Sequence, residues 1–220
     1  MIPVDAEHCP RDYQLEKIVT DYKNKTDIKY ERVITRLEDC CTHPARNEET
    51  TLGRLISDAF REALDLDIMF LGSGGIRADS LGPIVRYKDL LQVYPYNDPI
   101  YRIAVTGTQL LRMVKHILRK EAFTKRTEFY QFSRGFYIEY DLLKEELVKI
   151  SLDGQEIVPD KHYKIGLEVY HFLNLKEFLD IEPEEIQEAK VVATSSFDVL
   201  EEYFSGRKLV KVSEERRLVI

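Results

Sequence analysis

The sequence predicts one layered domain of the α/β (α+β) class, in which helices cover a mixed β-sheet. The chain has 220 residues, 44% of them hydrophobic and 32% charged, which is enough for a large core and a solvated surface. Helical and strand-like patterns are mixed along it without strict alternation, and this favours a mixed sheet. We see no internal repeat, low-complexity segment or long linker, so residues 1–220 are expected to form a single domain.

The N-terminal half reads as helix, strand, helix, strand. Residues 1–24 are expected to be a leading segment and linker helix, with apolar residues at helical spacing over 12–24, and "IKYERVITRL" (28–37) reads as a strand. The clearest helix follows, and Thr50 or Thr51 can cap its start. "DIMFL" (67–71) is then a buried-strand candidate. The apolar stripe of the clearest helix comprises Leu52, Leu55, Ile56, Ala59, Phe60, Ala63 and Leu64.

The C-terminal half alternates more irregularly. A short helix should end against Pro95, and Thr106 or Thr108 can cap a second one. A turn at Asp153-Gly154 should reverse one strand, and a final hairpin is expected to close the chain. The predicted elements are helix 87–95, strand 100–107, helix 106–118, strand 135–141, strands within 147–158, strand 163–173 and a strand–helix pair over 191–204.

The stretch "LGSGGIRADS" (71–80) places three of the ten glycines within four residues, followed by Ile76 and Arg77. Glycine is costly to order, so it is kept where the backbone turns with positive φ or where another group approaches closely. An arginine beside such a turn is a common arrangement for binding an anion. The alternative is an ordinary turn between strand and helix whose arginine only faces water. The turn follows a strand, at the end where layered α/β sheets tend to bind ligands.

Charge and composition exclude several classes of function. The net charge of −7 argues against non-specific binding to nucleic acid or to an anionic membrane. No apolar run approaches the 18 or so residues of a membrane-spanning helix, and "MIPVDAEHCPRD" has no apolar signal region. The three cysteines, Cys9, Cys40 and Cys41, form no disulfide framework and no metal spacing, which favours a reducing, cytoplasmic compartment.

The ordered motifs "EETTLGRLISDAF", "DIMFLGSGGIRADS" and "GPIVRYKDLLQVYPYND" resemble the C-terminal domain of the 5'-nucleotidase family. Their order and spacing match over residues 46–112. A weaker match continues through "DGQEIVPDKHYKIGLEVY" and "FDVLEEYF", so the resemblance covers the chain roughly from residue 12 to its end. Gly-Gly-Ile-Arg alone is a weak motif, whereas the whole ordered set is fairly specific.

The resemblance implies a role for each matching position. Arg46 and Arg77 match arginines that bind phosphate, and Tyr96 and Tyr170 match two rings between which the family holds the nucleobase. Gly74 and Gly75 shape the turn that carries Arg77. These residue types suit the roles, since a guanidinium meets two phosphate oxygens as a planar fork and any base can stack on an aromatic ring. With 13 tyrosines in the chain, either ring could instead be an ordinary core residue.

The sequence also departs from the family's pattern. Thr42 stands where the family has a further arginine, and Asp98 stands where it has an asparagine. An acid at 98 should repel phosphate, but it could accept hydrogen bonds from ribose hydroxyls or from a base amino group. The family's Gly-Gly-Asp-Gly turn is replaced by "HFLNLKEF" (171–178), with Lys176 near the place of its aspartate. The base and sugar, or a nucleotide at all, are therefore less firmly implied than phosphate.

The chain lacks the Gly-Asp, Gly-Asn-His and Gly-His-x-His elements that a two-metal phosphoesterase needs for its ligands. The resemblance implies a separate N-terminal metallophosphoesterase domain, which would hold a divalent metal pair and could be preceded by a signal peptide. The predicted function is nucleotide binding for a 5'-nucleotidase-type phosphohydrolase, with no cofactor and no hydrolysis in this chain alone. Two alternatives stay open: a stand-alone nucleotide-binding or regulatory module, and an interaction domain that has lost the pocket.

Overall fold

The computed structural model describes Asp5 and residues 9–220, and these contain eight α-helices and thirteen strands. The helices are α1 Tyr13–Tyr30, α2 Thr51–Ala63, α3 Tyr87–Val93, α4 Gly107–Ile117, α5 Lys120–Phe123, α6 Val169–Leu173, α7 Leu175–Leu179 and α8 Ser196–Ser205. The strands are β1 Val33–Arg36, β2 Cys41–Thr42, β3 Ile68–Gly72, β4 Ser80–Leu81, β5 Ile84–Arg86, β6 Ile100–Thr106, β7 Tyr130–Phe132, β8 Phe136–Asp141, β9 Glu146–Leu152, β10 Gln155–Glu156, β11 His162–Glu168, β12 Glu188–Ala193 and β13 Leu218–Val219.

A five-stranded mixed sheet forms the centre of the domain, in the order β12-β6-β11-β3-β7. Strands β11 and β3 are parallel, whereas β6 is antiparallel to both β11 and β12, and β7 is antiparallel to β3. A second sheet has the order β10-β9-β8-β13. The predicted layered α/β class with a mixed sheet is confirmed.

The central sheet separates two hydrophobic cores. Every residue of β3 is buried, and alternate side chains point to opposite faces because the strand period is two. Ile68 and Phe70 join the core under α4 and the second sheet. Met69 and Leu71 join the core under α2 and α8. The stripe predicted for α2 lies in this second core from Leu52 to Phe60 and Leu64 packs against it, but Ala63 is exposed at the end of the helix. The Thr50 hydroxyl caps the helix by accepting from the Gly53 amide.

The sheet topology brings four chain segments to one edge. The parallel strands β3 and β11 both end there, and they lead into the glycine turn and into α6. Strands β6 and β7 run in the opposite direction, so they begin at the same edge, with Ile100 paired to Glu168 and Tyr130 to Gly72. Segments distant in sequence therefore meet at this edge, and the site described below lies there.

Three predicted elements have different bounds. The predicted strand 28–37 is wrong in its first part, because α1 continues to Tyr30 and β1 covers only Val33–Arg36. The predicted strand 163–173 ends at Glu168, where its pairing with β6 ends beside Pro99, so Tyr170 lies in α6 rather than in a strand. The predicted closing hairpin is also wrong, since β13 pairs in parallel with β8.

The predicted N-terminal helix is present, but its apolar side chains are exposed. Tyr13, Ile18 and Tyr22 are each more than half exposed, and α1 contains no buried residue. Near its end, Tyr30 packs edge-to-face on Tyr87 with ring centroids 5.6 Å apart. The helix is thus attached to the domain mainly at its C-terminal end.

A buried ion pair fastens the C-terminal segment to the domain. Arg217, which is 1% exposed, donates from Nη2 to Asp58 Oδ2 at 2.8 Å and from Nη1 to the Phe132 carbonyl at 2.7 Å. Its backbone amide donates to Glu49 at 3.0 Å. Burial raises the pKa of Asp58 and lowers that of Arg217, and the charge of each partner opposes the shift in the other.

We expect Arg217→Met to lower the free energy of unfolding by about 3–5 kcal/mol, because it leaves the largely buried Asp58 carboxylate without its charged partner, with only the Arg134 amide donating to it. Arg216→Met, at an exposed neighbour, should change it by less than about 0.5 kcal/mol. Urea unfolding followed by circular dichroism measures both values. The double variant Asp58→Asn/Arg217→Met should recover part of the loss. Equal stability of the two arginine variants would contradict this account.

Candidate functional site

A cavity of about 390 Å³ opens at the sheet edge where the four segments meet. Six of the seven residues predicted from the sequence line it, and Arg77 does not. The wall also contains seven residues that the sequence analysis did not select. The predicted residues are Arg46, Gly74, Gly75, Tyr96, Asp98 and Tyr170, and the others are Tyr94, Pro99, Ile100, Glu128, Glu168, Val169 and His171.

Two carboxylates hold the glycine turn at one side of this cavity. Residues Ser73–Gly75 form a single 3₁₀ turn after β3. The Gly72 amide donates to Glu168 Oε2 at 2.9 Å, and the Gly74 amide donates to Glu128 Oε1 at 2.7 Å. These two amides are therefore engaged by the protein's own acids, and they are not available as an anion-binding nest.

Close approach, not positive φ, explains the glycines. Gly72 has a φ of −60°, which other residues adopt freely. A Cβ at position 72 would lie 2.3 Å from His171 Cε1, and one at position 75 would lie 2.7 Å from Glu168 Oε1. Both distances are far below a van der Waals contact, so side chains at these positions would displace the histidine and the carboxylate.

The aromatic residues of the cavity divide into an exposed pair and a buried one. Tyr96 is 40% exposed and Tyr170 is 62% exposed, so each ring has surface available to a ligand. Tyr94 is buried, and its hydroxyl donates to Glu168 Oε1 at 2.8 Å. Burial raises the pKa of Tyr94, and the adjacent carboxylate raises it further, so its hydroxyl remains a donor.

Acidic side chains predominate in the wall of the cavity. Asp98, Glu128 and Glu168 line it, and Arg46 is the one permanent cation that the described residues contribute to the wall. Burial raises the pKa of Glu128, and the bond from the Gly74 amide opposes that rise. The His171 side chain is 6% exposed, and its Nδ1 lies 3.4 Å from Glu168 Oε2 without forming a hydrogen bond.

A second cavity of about 260 Å³ adjoins the first, and Arg46 lines both. Arg77 and Lys125 line the second cavity, with Asp79 as its acidic residue. Arg46 and Arg77 therefore line one cavity together, whereas Tyr96 and Tyr170 line the other, which Arg77 does not reach. The Arg77 amide donates to the Val93 carbonyl at 2.8 Å, and Nη1 lies 3.4 Å from the Gly74 carbonyl.

His43 connects this second cavity to the start of α2. Its Nδ1 is 2.8 Å from Thr50 Oγ1, and its Nε2 is 3.4 Å from Ser73 Oγ in the glycine turn. The side chain is buried, and burial lowers its pKa. Gln131 also contacts the glycine turn, since its Nε2 donates to Ser73 Oγ at 3.0 Å. The turn is thus held from the side of α2, where both His43 and Gln131 also contact Thr50.

Within Asp5 and 9–220, no group of three or more His, Cys, Asp or Glu side chains is arranged to hold a metal ion. The donors of the described part of the chain therefore do not fit a two-metal centre. The same residues include no helix with the length and apolarity needed to cross a membrane.

Comparison with known families identifies the domain. The sequence profile described as "5'-nucleotidase, C-terminal domain" matches residues 32–181. The chain belongs to this family. Its matched region includes all seven residues predicted to bind the ligand. It excludes the whole of α1 and the C-terminal segment that carries Arg217.

The individual proteins that this chain resembles are distant from it in sequence. A 5'-nucleotidase of Vibrio parahaemolyticus is 22% identical over 126 residues, which are 57% of this chain and 22% of that protein. Endonuclease YhcR of Bacillus subtilis is 30% identical over 119 residues, or 53% of this chain and 9% of that protein. The crystal structure of a 5'-nucleotidase precursor from Thermus thermophilus superposes with a TM-score of 0.77 at 17% identity, covering 97% of this chain and 44% of that one. The chain thus spans less than half the length of these relatives.

We expect His43 to make the stability of the domain fall at acidic pH. Its pKa is lowered in the folded state from an ordinary value of 6.5, so the unfolded chain binds the proton more readily. The stabilising contribution of the neutral ring is present above about pH 6.5 and is lost as the pH falls toward the folded pKa. His43→Asn should reduce the difference in unfolding free energy between pH 8 and pH 5.5 by about 1 kcal/mol.

Urea unfolding at the two pH values measures this difference. The carboxylates that also titrate in this range are common to both proteins, so their effects cancel in the comparison. His162→Asn, at an exposed position, is the matched control and should leave the pH dependence as in the wild type. An unchanged pH dependence in His43→Asn would show that the ring does not carry this effect.

Proposed function

We propose that this chain is the substrate-binding domain of a 5'-nucleotidase-like phosphohydrolase, and that its ligand is a nucleotide or a related phosphorylated small molecule. The observation that carries the proposal is the pair of adjoining cavities that share Arg46. One contains the exposed rings of Tyr96 and Tyr170, and the other contains Arg77. A nucleotide has the same division, with a flat base at one end and an anion at the other.

In this proposal the phosphate lies between Arg46 and Arg77, in the second cavity. Lys125 adds a further positive charge to the wall of this cavity, and Asp79 is the acidic residue there. Each charge-assisted hydrogen bond to a phosphate oxygen contributes about 1.5–3 kcal/mol. The second cavity is also where an anion avoids most of the repulsion from Asp98, Glu128 and Glu168, which line the first cavity.

The base then occupies the first cavity, against Tyr96, Tyr170 or both. Stacking of a base on an aromatic ring contributes about 1–3 kcal/mol. We assign Asp98 to the ribose, because it is exposed at the same wall and an ionised carboxylate accepts hydrogen bonds from two vicinal hydroxyls. Gly74 and Gly75 act by giving the turn its shape.

We expect Tyr96→Ala and Arg46→Ala each to weaken binding of AMP about tenfold, the loss that corresponds to 1.4 kcal/mol. Isothermal titration calorimetry measures the dissociation constants. The matched controls are Tyr22→Ala and Arg36→Ala, two exposed positions outside both cavities, and these should bind AMP as the wild type does. dAMP should bind less tightly than AMP if Asp98 contacts the ribose. Equal affinity of all four variants for AMP would overturn the proposed site.

The hydrolytic step belongs, in this proposal, to a metal-binding domain of the parent protein. The donors described above do not fit a metal pair, and no step of the reaction is assigned to this chain. Its contribution is to bind the phosphate and the base and so to orient the ester for attack.

We therefore expect the purified chain to release no phosphate from AMP above background in the presence of Mn²⁺, Zn²⁺ or Mg²⁺, while still binding AMP. A phosphate-release assay checks this, and Arg77→Ala separates real turnover from contamination. Turnover that appears in independent preparations and disappears in Arg77→Ala would place the reaction in this chain and contradict the proposal.

A further inference from the structure

The acidic wall of the first cavity, formed by Asp98, Glu128 and Glu168, presents acceptors of unequal availability. Glu168 is fully engaged, because Oε1 accepts from the Tyr94 hydroxyl and Oε2 accepts from the Gly72 amide. Asp98 is exposed, so water satisfies its side chain. Glu128 is intermediate in exposure, and only its Oε1 accepts a hydrogen bond, from Gly74, within the described residues. Glu128 Oε2 is therefore a partly buried acceptor of this wall that receives no protein hydrogen bond within the described residues.

An independent observation concerns His171, which lines the same cavity. It is 5% exposed, and its Nδ1 is buried without a hydrogen-bond partner in the described part of the chain. Such a nitrogen usually finds a partner in a protein or a bound molecule, since an unmade hydrogen bond at a buried polar atom is costly. Its ring packs on the backbone of Gly72, where any side chain would collide with it. The glycine at position 72 therefore leaves the space that the His171 ring occupies in the cavity wall.

The chemistry of the wall determines which ligand edge would fit. An ionised carboxylate accepts hydrogen bonds and donates none. A base edge with two adjacent N–H donors matches it, whereas an edge that puts a ring acceptor beside an amino group does not. Among the common bases, guanine has adjacent N1–H and N2–H₂ donors, with the O6 acceptor next to them. Adenine and cytosine each place an unprotonated ring nitrogen beside the amino group.

We propose that Glu128 is the residue that selects the base, by accepting hydrogen bonds from adjacent N–H donors of a guanine-type edge while His171 faces the same edge. This inference rests on the proposed nucleotide function and names its base. Glu168 serves as a positioning residue, because it holds Gly72 and Tyr94 rather than the ligand.

The test compares GMP with IMP, which differs from it only in lacking the 2-amino group. Calorimetry should show GMP binding about tenfold more tightly than IMP, the loss typical of one hydrogen bond to a charged acceptor. Glu128→Gln can keep the bond from the Gly74 amide through its carbonyl oxygen but adds an NH₂ group that faces the donors. We expect this variant to lose the preference, with the GMP and IMP affinities within about twofold. Glu184→Gln, at an exposed position outside the cavity, should keep it.

The outcomes distinguish this inference from the proposed function. Equal affinities for GMP and IMP in the wild type, with binding that still depends on Tyr96, would overturn the role of Glu128 and leave the nucleotide site in place. A preference for GMP over IMP that persists in Glu128→Gln would likewise overturn the role of Glu128 in selecting the base. Failure of AMP, GMP and IMP all to bind would remove the proposed function, and this inference with it.

Discussion

The geometry of the site depends on the carboxylate of Glu168. One oxygen accepts from the Gly72 amide at the end of β3, and the other accepts from the Tyr94 hydroxyl just after α3. The residue itself ends β11, so a single side chain joins three segments that are distant in sequence. Its side chain is 12% exposed, and hydrogen bonds to a charged acceptor are about twice as strong as those between neutral groups. Glu168 thus links the glycine turn, the end of α3 and the strand that leads into α6.

The turn separates the charges of the site. On one side lie the acids Asp98, Glu128 and Glu168, and on the other lie Arg77 and Lys125. At an effective dielectric of about 20, two unit charges 4 Å apart interact by roughly 4 kcal/mol. The acidic side would therefore repel an anionic group of a ligand, and the basic side would repel a cationic one. A chain with a net charge of −7 can therefore present a local anion site without being basic as a whole.

The sequence predicted what local patterns and ordered motifs encode. The stripe of α2, the buried strand β3 and the Thr106 cap of α4 follow from periodicity and capping, and the structure confirms them. Six of the seven residues selected through the family resemblance line the first cavity, although their contact with a ligand stays a prediction. Glu128 was not predictable, because its partner Gly74 is 54 residues away and no motif marks the pair. Tyr170 was placed in a strand because apolar residues continue past Glu168, and only the end of the pairing with β6 shows where the strand stops.

Arg46 lines both cavities, and among Asp5 and residues 9–220 it supplies the one permanent positive charge in the wall of the acidic cavity. An anion bound beside Arg77 would draw that charge toward itself and leave the acids less neutralised, which strengthens their attraction for N–H donors. A donor-rich group bound at the acids would in turn free the guanidinium for the anion. The two halves of a ligand would then bind with positive coupling, and by thermodynamic linkage the coupling must be the same whichever half binds first. A molecule that carries both halves would gain an affinity greater than its separate fragments suggest.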